Sequence, residues 1–209
     1  MATSAKARPT GTATRILDTA EKLVQVRGFN AFSYADIAKA LGIRKASLHH
    51  HFATKADLGH ALVTRYRHDF VDALTHIESE SADTARRLQR YADLYGSVLR
   101  KKRMCLCGML AADIATLPKA MRQSVAEFFA ENELWLTRIL EDGRLAGELH
   151  FDESATSMAA FFISSLEGAM LLALGSGNVD HFDSAARRLL AGVRPKASLG
   201  GDGSDALRQ

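Results

Sequence analysis

Residues 34–52 read YADIAKALGIRKASLHHHF, the stretch of the chain with the clearest local structural pattern. Apolar residues recur every three or four positions on both sides of Gly42, which predicts two short helices joined by a tight turn. Ala38 supplies a small side chain where the helices cross, and Gly42 is free to take a positive φ in the turn. The residues expected to face inward and fix the crossing angle are Ile37, Ile43 and Leu48. Together these features predict a helix-turn-helix.

Capping signatures frame this motif on both sides. Ser33 and Asp36 have the spacing of a capping box, and Thr54 and Asp57 repeat that spacing at the start of a helix that we expect to reach about residue 79. An amphipathic helix is predicted over 13–27, with a glycine stop directly after it. The chain therefore begins with three helices, the last of which is predicted over 44–51.

The rest of the chain has the same helical period. Only three prolines interrupt it, and Pro118 suits a first helical turn. We expect an all-α protein: an N-terminal three-helix unit with the helix-turn-helix at 13–55, then a helical bundle at 56–194, whose roles are taken from the resemblance given below. The amphipathic segments of that second domain lie near 83–101, 105–116, 119–146, 153–175 and 181–193. The polar ends, 1–12 and 195–209, are predicted to be a disordered arm and tail.

Charge is distributed unevenly along the chain. The 209 residues are 47% hydrophobic, which is enough for a sizeable core, and the formal net charge is +3. Residues 1–55 carry a net charge of +6, whereas residues 56–209 carry −3. The basic end is therefore the candidate for binding a polyanion.

Cysteine content and hydropathy indicate an intracellular protein. The two cysteines, Cys105 and Cys107, stand two positions apart and form no disulfide framework, which suits a reducing cytoplasm. The N-terminus lacks the apolar stretch of a signal peptide. The longest apolar stretch, 158–177, contains Ser164, Ser165 and Glu167, so we expect no membrane span.

Three consecutive histidines, His49, His50 and His51, raise the alternative of a metal site. Successive helical residues point about 100° apart, so these rings cannot converge on one ion, and no other histidine pair has a spacing of three or four. Asp57 and His60 form a single carboxylate-x-x-His pair, whereas a di-iron bundle needs two. We expect neither a metal nor another cofactor.

Residues 16–58, ILDTAEKLVQVRGFNAFSYADIAKALGIRKASLHHHFATKADL, resemble the DNA-binding signature of the TetR family of bacterial transcriptional repressors. The later helices resemble the family only in number, length and pattern. The resemblance implies an N-terminal three-helix DNA-binding domain, a C-terminal helical domain that binds a small-molecule effector and dimerises, and a palindromic double-stranded DNA operator.

The predicted recognition helix carries most of the expected DNA contacts. Arg44 and Lys45 are placed to read guanine edges or to bind phosphates, and Ser47 suits either role. The family usually has tyrosines where this chain has His49 and His50, so these two positions depart from the pattern of operator contact. Further phosphate contacts are expected at Ser33 and Lys55, where a cap or a solvated surface residue is the alternative.

Apolar helices near the C-terminus indicate how a dimer would form. The stretch MAAFFISSLEGAMLLALGSG is apolar nearly all round and so must be covered on two sides, and a second apolar stripe follows it. The resemblance implies that these two helices pair with their twins in a homodimer. Aromatic and sulfur side chains of this domain are candidates for an effector pocket or, equally, for plain core: Tyr95, Met104, Met109, Phe128, Trp135, Phe161, Phe162 and Met170.

The segment RKKRMCLCGML suggests a reactive thiol. Four basic residues, 100–103, precede Cys105 and Cys107, which open a predicted helix. Positive charge and a helix N-terminus both lower the pKa of a thiol, so we expect an activated Cys105 that senses oxidants or electrophiles. The family resemblance supports this expectation, because some TetR-like repressors that sense electrophiles or oxidants carry a cysteine at the start of the corresponding helix. The alternative is that both cysteines are small buried apolar residues.

Two other functions are alternatives to a transcriptional repressor. An enzyme is not expected, because the chain has neither a Gly-x-Ser-x-Gly turn nor a phosphate-cradling glycine loop. A protein-interaction module that has kept the fold and lost specific DNA binding is the other rival, and His49 and His50 are its only support. Steep loss of affinity with salt would favour the DNA-binding protein.

Overall fold

A computed structural model of the chain describes residues 11–194, which form nine α-helices and one short 3-10 segment. The all-α prediction is confirmed. The predicted tail and all but the last two residues of the predicted arm lie outside the described residues, and Thr12 already belongs to the first helix. The helices are α1 (Thr12–Arg27), α2 (Tyr34–Leu41), α3 (Lys45–His51), α4 (Lys55–Glu80), α5 (Thr84–Leu99), α6 (Leu106–Ala112), α7 (Lys119–Leu145), α8 (Ala155–Ser176) and α9 (Asp180–Gly192).

The turn between α2 and α3 forms as its residues predict. The backbone N–H of Ser33 donates to the Asp36 carboxylate over 2.7 Å, which closes the capping box of α2. Gly42 has φ 65 and donates its N–H to carbonyls at the end of α2, a conformation that a side chain would strain. Ile37 and Leu48 are fully buried between the helices. The helix-turn-helix is therefore held by a cap, a left-handed glycine and an apolar contact.

Helix α4 joins the two halves of the molecule. Thr54 accepts a hydrogen bond from the N–H of Asp57 and returns one from its own N–H, so the second capping box also forms. With 26 residues, α4 is about 39 Å long at 1.5 Å per residue. Leu58 and Leu62 in its first turns are fully buried, and the helix packs against α1, α5 and α7. A displacement of α4 would therefore change the packing in both halves of the molecule.

The second half is a bundle in which α8 packs against α5, α7 and α9. Two predicted boundaries differ in detail. The segment expected at 105–116 breaks into α6 and a 3-10 turn, Ile114–Thr116, and Pro118 stands one position before α7 rather than inside its first turn. Proline lacks a backbone N–H, and that position needs none for a bond within the helix.

Helix α8 is buried on one face only. Phe162, Leu166 and Met170 are at most 1% exposed, whereas Leu171 and Leu172 are each 59% exposed. By length and composition α8 is apolar enough to cross a membrane, with a mean hydropathy of 1.7. The core helix of a folded bundle meets the same two criteria, and the inner face of α8 forms part of this core.

Candidate DNA-binding surface and effector cleft

The start of α3 presents the expected basic side chains. Arg44 is the N-cap and Lys45 the first residue of the helix, and both are exposed, while Ser47 is half-buried one turn further on. In a helix-turn-helix, the N-terminal residues of the second helix are those that enter the major groove. The geometry is therefore suited to base or phosphate contact at the two basic positions.

His49 and His50, which stand where the family usually has tyrosines, differ from each other in their contacts. Nδ1 of His49 lies 3.0 Å from the carbonyl oxygen of Ala53, and its ring centroid lies 4.8 Å from that of Tyr34. His50 is exposed, and its only ring contact in the described chain is with the neighbouring His51, at 5.4 Å. Two intramolecular contacts thus orient the His49 ring, whereas none of this kind holds the His50 ring to another element.

Ser33 and Lys55 are both engaged within the protein. The Ser33 hydroxyl donates to Asp36 over 2.7 Å. Nζ of Lys55 donates to the Phe32 carbonyl over 2.5 Å and lies over the Phe29 and Phe32 rings, at 4.7 and 4.4 Å from their centroids. Partial burial lowers the pKa of Lys55, although nearby carboxylates oppose this shift. The groups best placed for a phosphate here are the backbone N–H groups that open α4.

A cleft of about 180 Å³ opens between α4 and α5. Its walls are largely apolar and aromatic, Glu21 reaches it from α1, and the Cys105 segment closes one side. An effector bound here would touch the DNA-binding half and the bundle at once. The principal lining residues are Glu21, Tyr66, Phe70, Tyr95, Cys105 and Met170.

The predicted effector residues divide into three groups. Tyr95, Cys105 and Met170 line the cleft, and Phe128 backs it by packing against the Tyr66 and Phe70 rings. Others are structural: Trp135 stacks on Tyr91 and donates to Glu78 over 2.6 Å, Met109 packs toward Gly28, and Met104, Cys107 and Phe162 are buried. Phe161 is 56% exposed on the outer face of α8 and does not line this cleft, so its role in effector binding stays a prediction.

The expected activation of Cys105 by positive charge is wrong. Burial raises the pKa of the Cys105 thiol well above its usual value, the Glu167 carboxylate adds to the increase, and the pKa of Cys107 is raised for the same reasons. None of the four basic residues at 100–103 is among the groups that shift the pKa of Cys105, and Arg100 pairs instead with Asp183 over 3.2 Å. The neutral thiol is therefore the dominant form at neutral pH.

Sequence reasoning missed three residues around the cleft. Tyr66 and Phe70 lie one turn apart on α4, a spacing that cannot distinguish a cleft wall from core. Glu167 was noted only as a polar interruption, yet burial raises its pKa to about 7. A single acid in an otherwise apolar helix was the available signal.

Several polar contacts tie the cleft region to the DNA-binding half. Arg65 of α4 donates to Asp18 over 2.7 Å and to Glu21 over 2.6 Å, both on α1. The N–H of Met104 donates to the Gln25 carbonyl over 3.0 Å, and the N–H of Phe29 donates to Asp113 over 2.8 Å. These hydrogen bonds, which we call the hydrogen-bonded frame, therefore connect the surroundings of the cleft to α1.

Substituting Arg65→Gln is expected to reduce the free energy of unfolding by about 1–2 kcal/mol, because the guanidinium is largely buried and holds two carboxylates. Arg144→Gln is the matched control: its pair with Glu141 is more exposed, and its loss should cost less than about 0.5 kcal/mol. Urea denaturation of both variants checks the difference. Equal midpoints would show that the α1–α4 bridge contributes no more than a surface pair.

No group of three or more His, Cys, Asp or Glu side chains within residues 11–194 is arranged to hold a metal ion. The three histidines of α3 are exposed side chains.

A helix-turn-helix with an exposed basic start, joined by one long helix to a bundle with a cleft, is the architecture of a DNA-binding protein with a separate helical domain. Residues 16–62 match "Bacterial regulatory proteins, tetR family", and residues 84–189 match "Tetracyclin repressor-like, C-terminal domain". Together these matches cover most of the chain. The protein therefore belongs to the TetR family of DNA-binding transcriptional regulators, which are not enzymes.

Solved structures and curated proteins agree with this assignment. A TetR-family regulator from Agrobacterium tumefaciens is 34% identical with a TM-score of 0.85, and the match covers 88% of this chain and 97% of that one. The reduced form of E. coli NemR, at 24% identity and a TM-score of 0.77, shares the fold over 88% and 97%. Transcriptional regulator AcuR of Cereibacter sphaeroides is 26% identical over 152 residues, which are 70% of this chain and 69% of AcuR. The repressor DhaR of a Mycobacterium species is 26% identical over 72% of this chain and 78% of its own.

Proposed function

We propose that this chain is a homodimeric cytoplasmic repressor that binds a palindromic operator and is released when a small molecule occupies the cleft or modifies Cys105. The observation that carries the proposal is the cleft itself. It is lined by residues of both halves, from Glu21 on α1 to Met170 on α8, so its occupant can influence the placement of the recognition helix.

Operator contact is assigned to the exposed start of α3 and the two capped helix starts beside it. Arg44 and Lys45 supply the positive charge, with Ser47 and His50 further along the same helix. Ser33 and Lys55 open α2 and α4, where backbone N–H groups favour a phosphate. His49, anchored to Ala53, is proposed to orient the C-terminal end of α3 rather than to read a base.

The dimer is assigned to the outer face of α8 together with α9. Phe161, Leu171 and Leu172 are all more than half exposed, and the exposed Gly168 would let another helix approach closely. Two-fold pairing would set two recognition helices about 34 Å apart, one turn of B-DNA, to match a palindrome. This arrangement is the reason for expecting an inverted repeat in the operator.

Release is proposed to be a shift between two conformations. An effector that prefers the conformation with misplaced recognition helices by a few kcal/mol lowers the fraction competent to bind DNA. The hydrogen-bonded frame around Arg65 and Asp113 is the route by which the cleft would bias α1 and α4. The effector is a compact molecule, since the cleft holds about 180 Å³.

Selection of binding sites from random double-stranded DNA, with the reduced protein at fixed salt, tests the proposal directly. We expect an enriched inverted repeat whose half-sites are centred about one helical turn apart. The rival interaction module predicts no enrichment above non-specific binding. A single unrepeated half-site would contradict the dimer while leaving sequence-specific binding in place.

A further inference from the structure

A buried cluster of three groups with complementary chemistry adjoins the cleft. Cys105 presents a thiol, the Tyr66 hydroxyl lies 3.8 Å from the Cys105 sulfur, and the Glu167 carboxyl of α8 rests against the segment that carries Cys105 and raises the pKa of that thiol. Cys105 and Tyr66 both line the cleft. A nucleophile, a hydrogen-bond donor and a base thus meet beside a space that admits a small molecule.

The Glu167 carboxyl is unusual in this cluster. Both of its oxygens are buried and make no conventional hydrogen bond, and an unpaired buried carboxylate carries a desolvation cost. A Cβ at Gly108 would lie 2.5 Å from Oε2 of Glu167, so the carboxyl rests directly on the segment that carries Cys105. Its principal polar neighbour is the Cys105 thiol. A group left unpaired in this way remains free to accept a proton from that thiol.

We propose that Glu167 is the proton acceptor that enables the neutral Cys105 thiol to add to a small α,β-unsaturated carbonyl compound held in the cleft, with Tyr66 positioned to donate a hydrogen bond to the carbonyl oxygen. This inference rests on one part of the proposed function, namely release of the operator by modification of Cys105. It explains how a thiol can react without being ionised beforehand, because the carboxylate takes the proton as the sulfur attacks.

The proposed addition balances in two steps. The sulfur forms a bond to the β-carbon as its proton passes to the Glu167 carboxylate, and the electron pair of the C=C bond moves to give an enolate whose oxygen accepts from the Tyr66 hydroxyl. The α-carbon then takes the proton from the Glu167 carboxyl. The product is a thioether with its carbonyl restored, the carboxylate is regenerated, and no oxidant or reductant takes part.

The ionisable groups that face Glu167 are few and mostly uncharged at neutral pH. They are Tyr66 from α4, Tyr91 and Tyr95 from α5, and the two cysteines at the start of α6; burial raises the pKa of each. From α7 and α9, no ionisable side chain in the described part of the chain shows an electrostatic effect on Glu167. Burial itself is what raises the pKa of Glu167 to about 7.

The pH dependence of the reaction tests the inference. Full-length protein with Cys107→Ala is mixed with methyl vinyl ketone, and adduct formation at Cys105 is followed by mass spectrometry from pH 5.5 to 9. We expect the rate to rise through about pH 7, because Glu167 must be ionised to accept the proton, and then to level off. Glu167→Gln should react at least about tenfold more slowly at pH 7.5, and its rate should continue to rise with pH.

A purely electrostatic role for Glu167 predicts the opposite result. The carboxylate then only raises the pKa of the thiol, so Glu167→Gln would yield more thiolate and react faster. An equal or faster rate in Glu167→Gln, or a wild-type profile without an inflection near pH 7, overturns the inference. Glu167→Asp, one methylene shorter, should be slower than wild type, and thermal melts establish that each variant is folded.

A separate measurement distinguishes failure of this inference from failure of the proposed function. Operator release is titrated with the same ketone for wild type and Cys105→Ser. If release is lost in Cys105→Ser but is unchanged by the Glu167 substitution, only the proposed proton transfer is contradicted. If the wild type forms no adduct at Cys105, both this inference and the proposed release by modification of Cys105 are overturned. Release by a non-covalent effector is then tested with other ligands.

Discussion

Leu171→Glu is expected to convert the protein to a monomer and to weaken operator binding by at least about 100-fold. Leu171 is 59% exposed on the outer face of α8, beside the equally exposed Leu172. In a two-fold interface, a glutamate at this position would meet apolar side chains of the partner and would be buried without a counter-charge. A monomer engages one half-site at a time, so the gain from simultaneous binding of two half-sites disappears.

The control for this variant is Leu145→Glu. Leu145 is 77% exposed at the end of α7, away from the face assigned to the dimer, so the same substitution there should leave mass and affinity unchanged. Light scattering after size-exclusion chromatography reports the mass, and titration of the selected operator reports the affinity. A Leu171→Glu protein that remains dimeric would remove α8 from the interface.

The double substitution of Arg44→Ala with Lys45→Ala is expected to reduce operator affinity by about 100-fold, since each good contact of this kind contributes about 1–3 kcal/mol. Both side chains are exposed at the start of α3, where a recognition helix meets DNA. If both side chains bind phosphates, the slope of log affinity against log salt should fall by about two. If one reads a base, the slope should change less and specificity should relax at that base pair.

Lys101→Ala with Lys102→Ala removes the same two charges from the exposed turn between α5 and α6. This control should leave operator affinity and salt slope close to those of the wild type, because the turn belongs to the bundle half. Fluorescence anisotropy at three or more salt concentrations separates the two pairs. Equal losses in both variants would mean that net charge, rather than the start of α3, governs binding.

Local interactions explain why the sequence alone predicted the DNA-binding half so well. The capping boxes at Ser33 and Thr54 join residues three positions apart, and the turn at Gly42 depends on the backbone freedom of one residue. Both are encoded within a few neighbouring positions, so spacing is enough to recognise them. The helical class and the boundaries of α1 to α4 followed from the same short-range signals.

Position along the chain was a poor guide to the electrostatics of Cys105. Four basic residues precede it in sequence, yet its environment is set by burial and by Glu167, which lies more than sixty positions away on another helix. The desolvation of a thiol depends on every element packed around it. No pattern within the segment 100–107 contains that information.

The helices, their caps, the helix-turn-helix and the family could be recognised from the sequence, because they depend on residues close together in the chain. Only packing between distant segments shows that Phe161 faces outward, that Lys55 turns back onto Phe32, and that Tyr66 and Cys105 line a cleft with the Glu167 carboxyl close to the Cys105 thiol. A helix that is apolar nearly all round has no preferred face until its neighbours pack against it. Contacts between distant segments set burial, and burial sets which groups ionise.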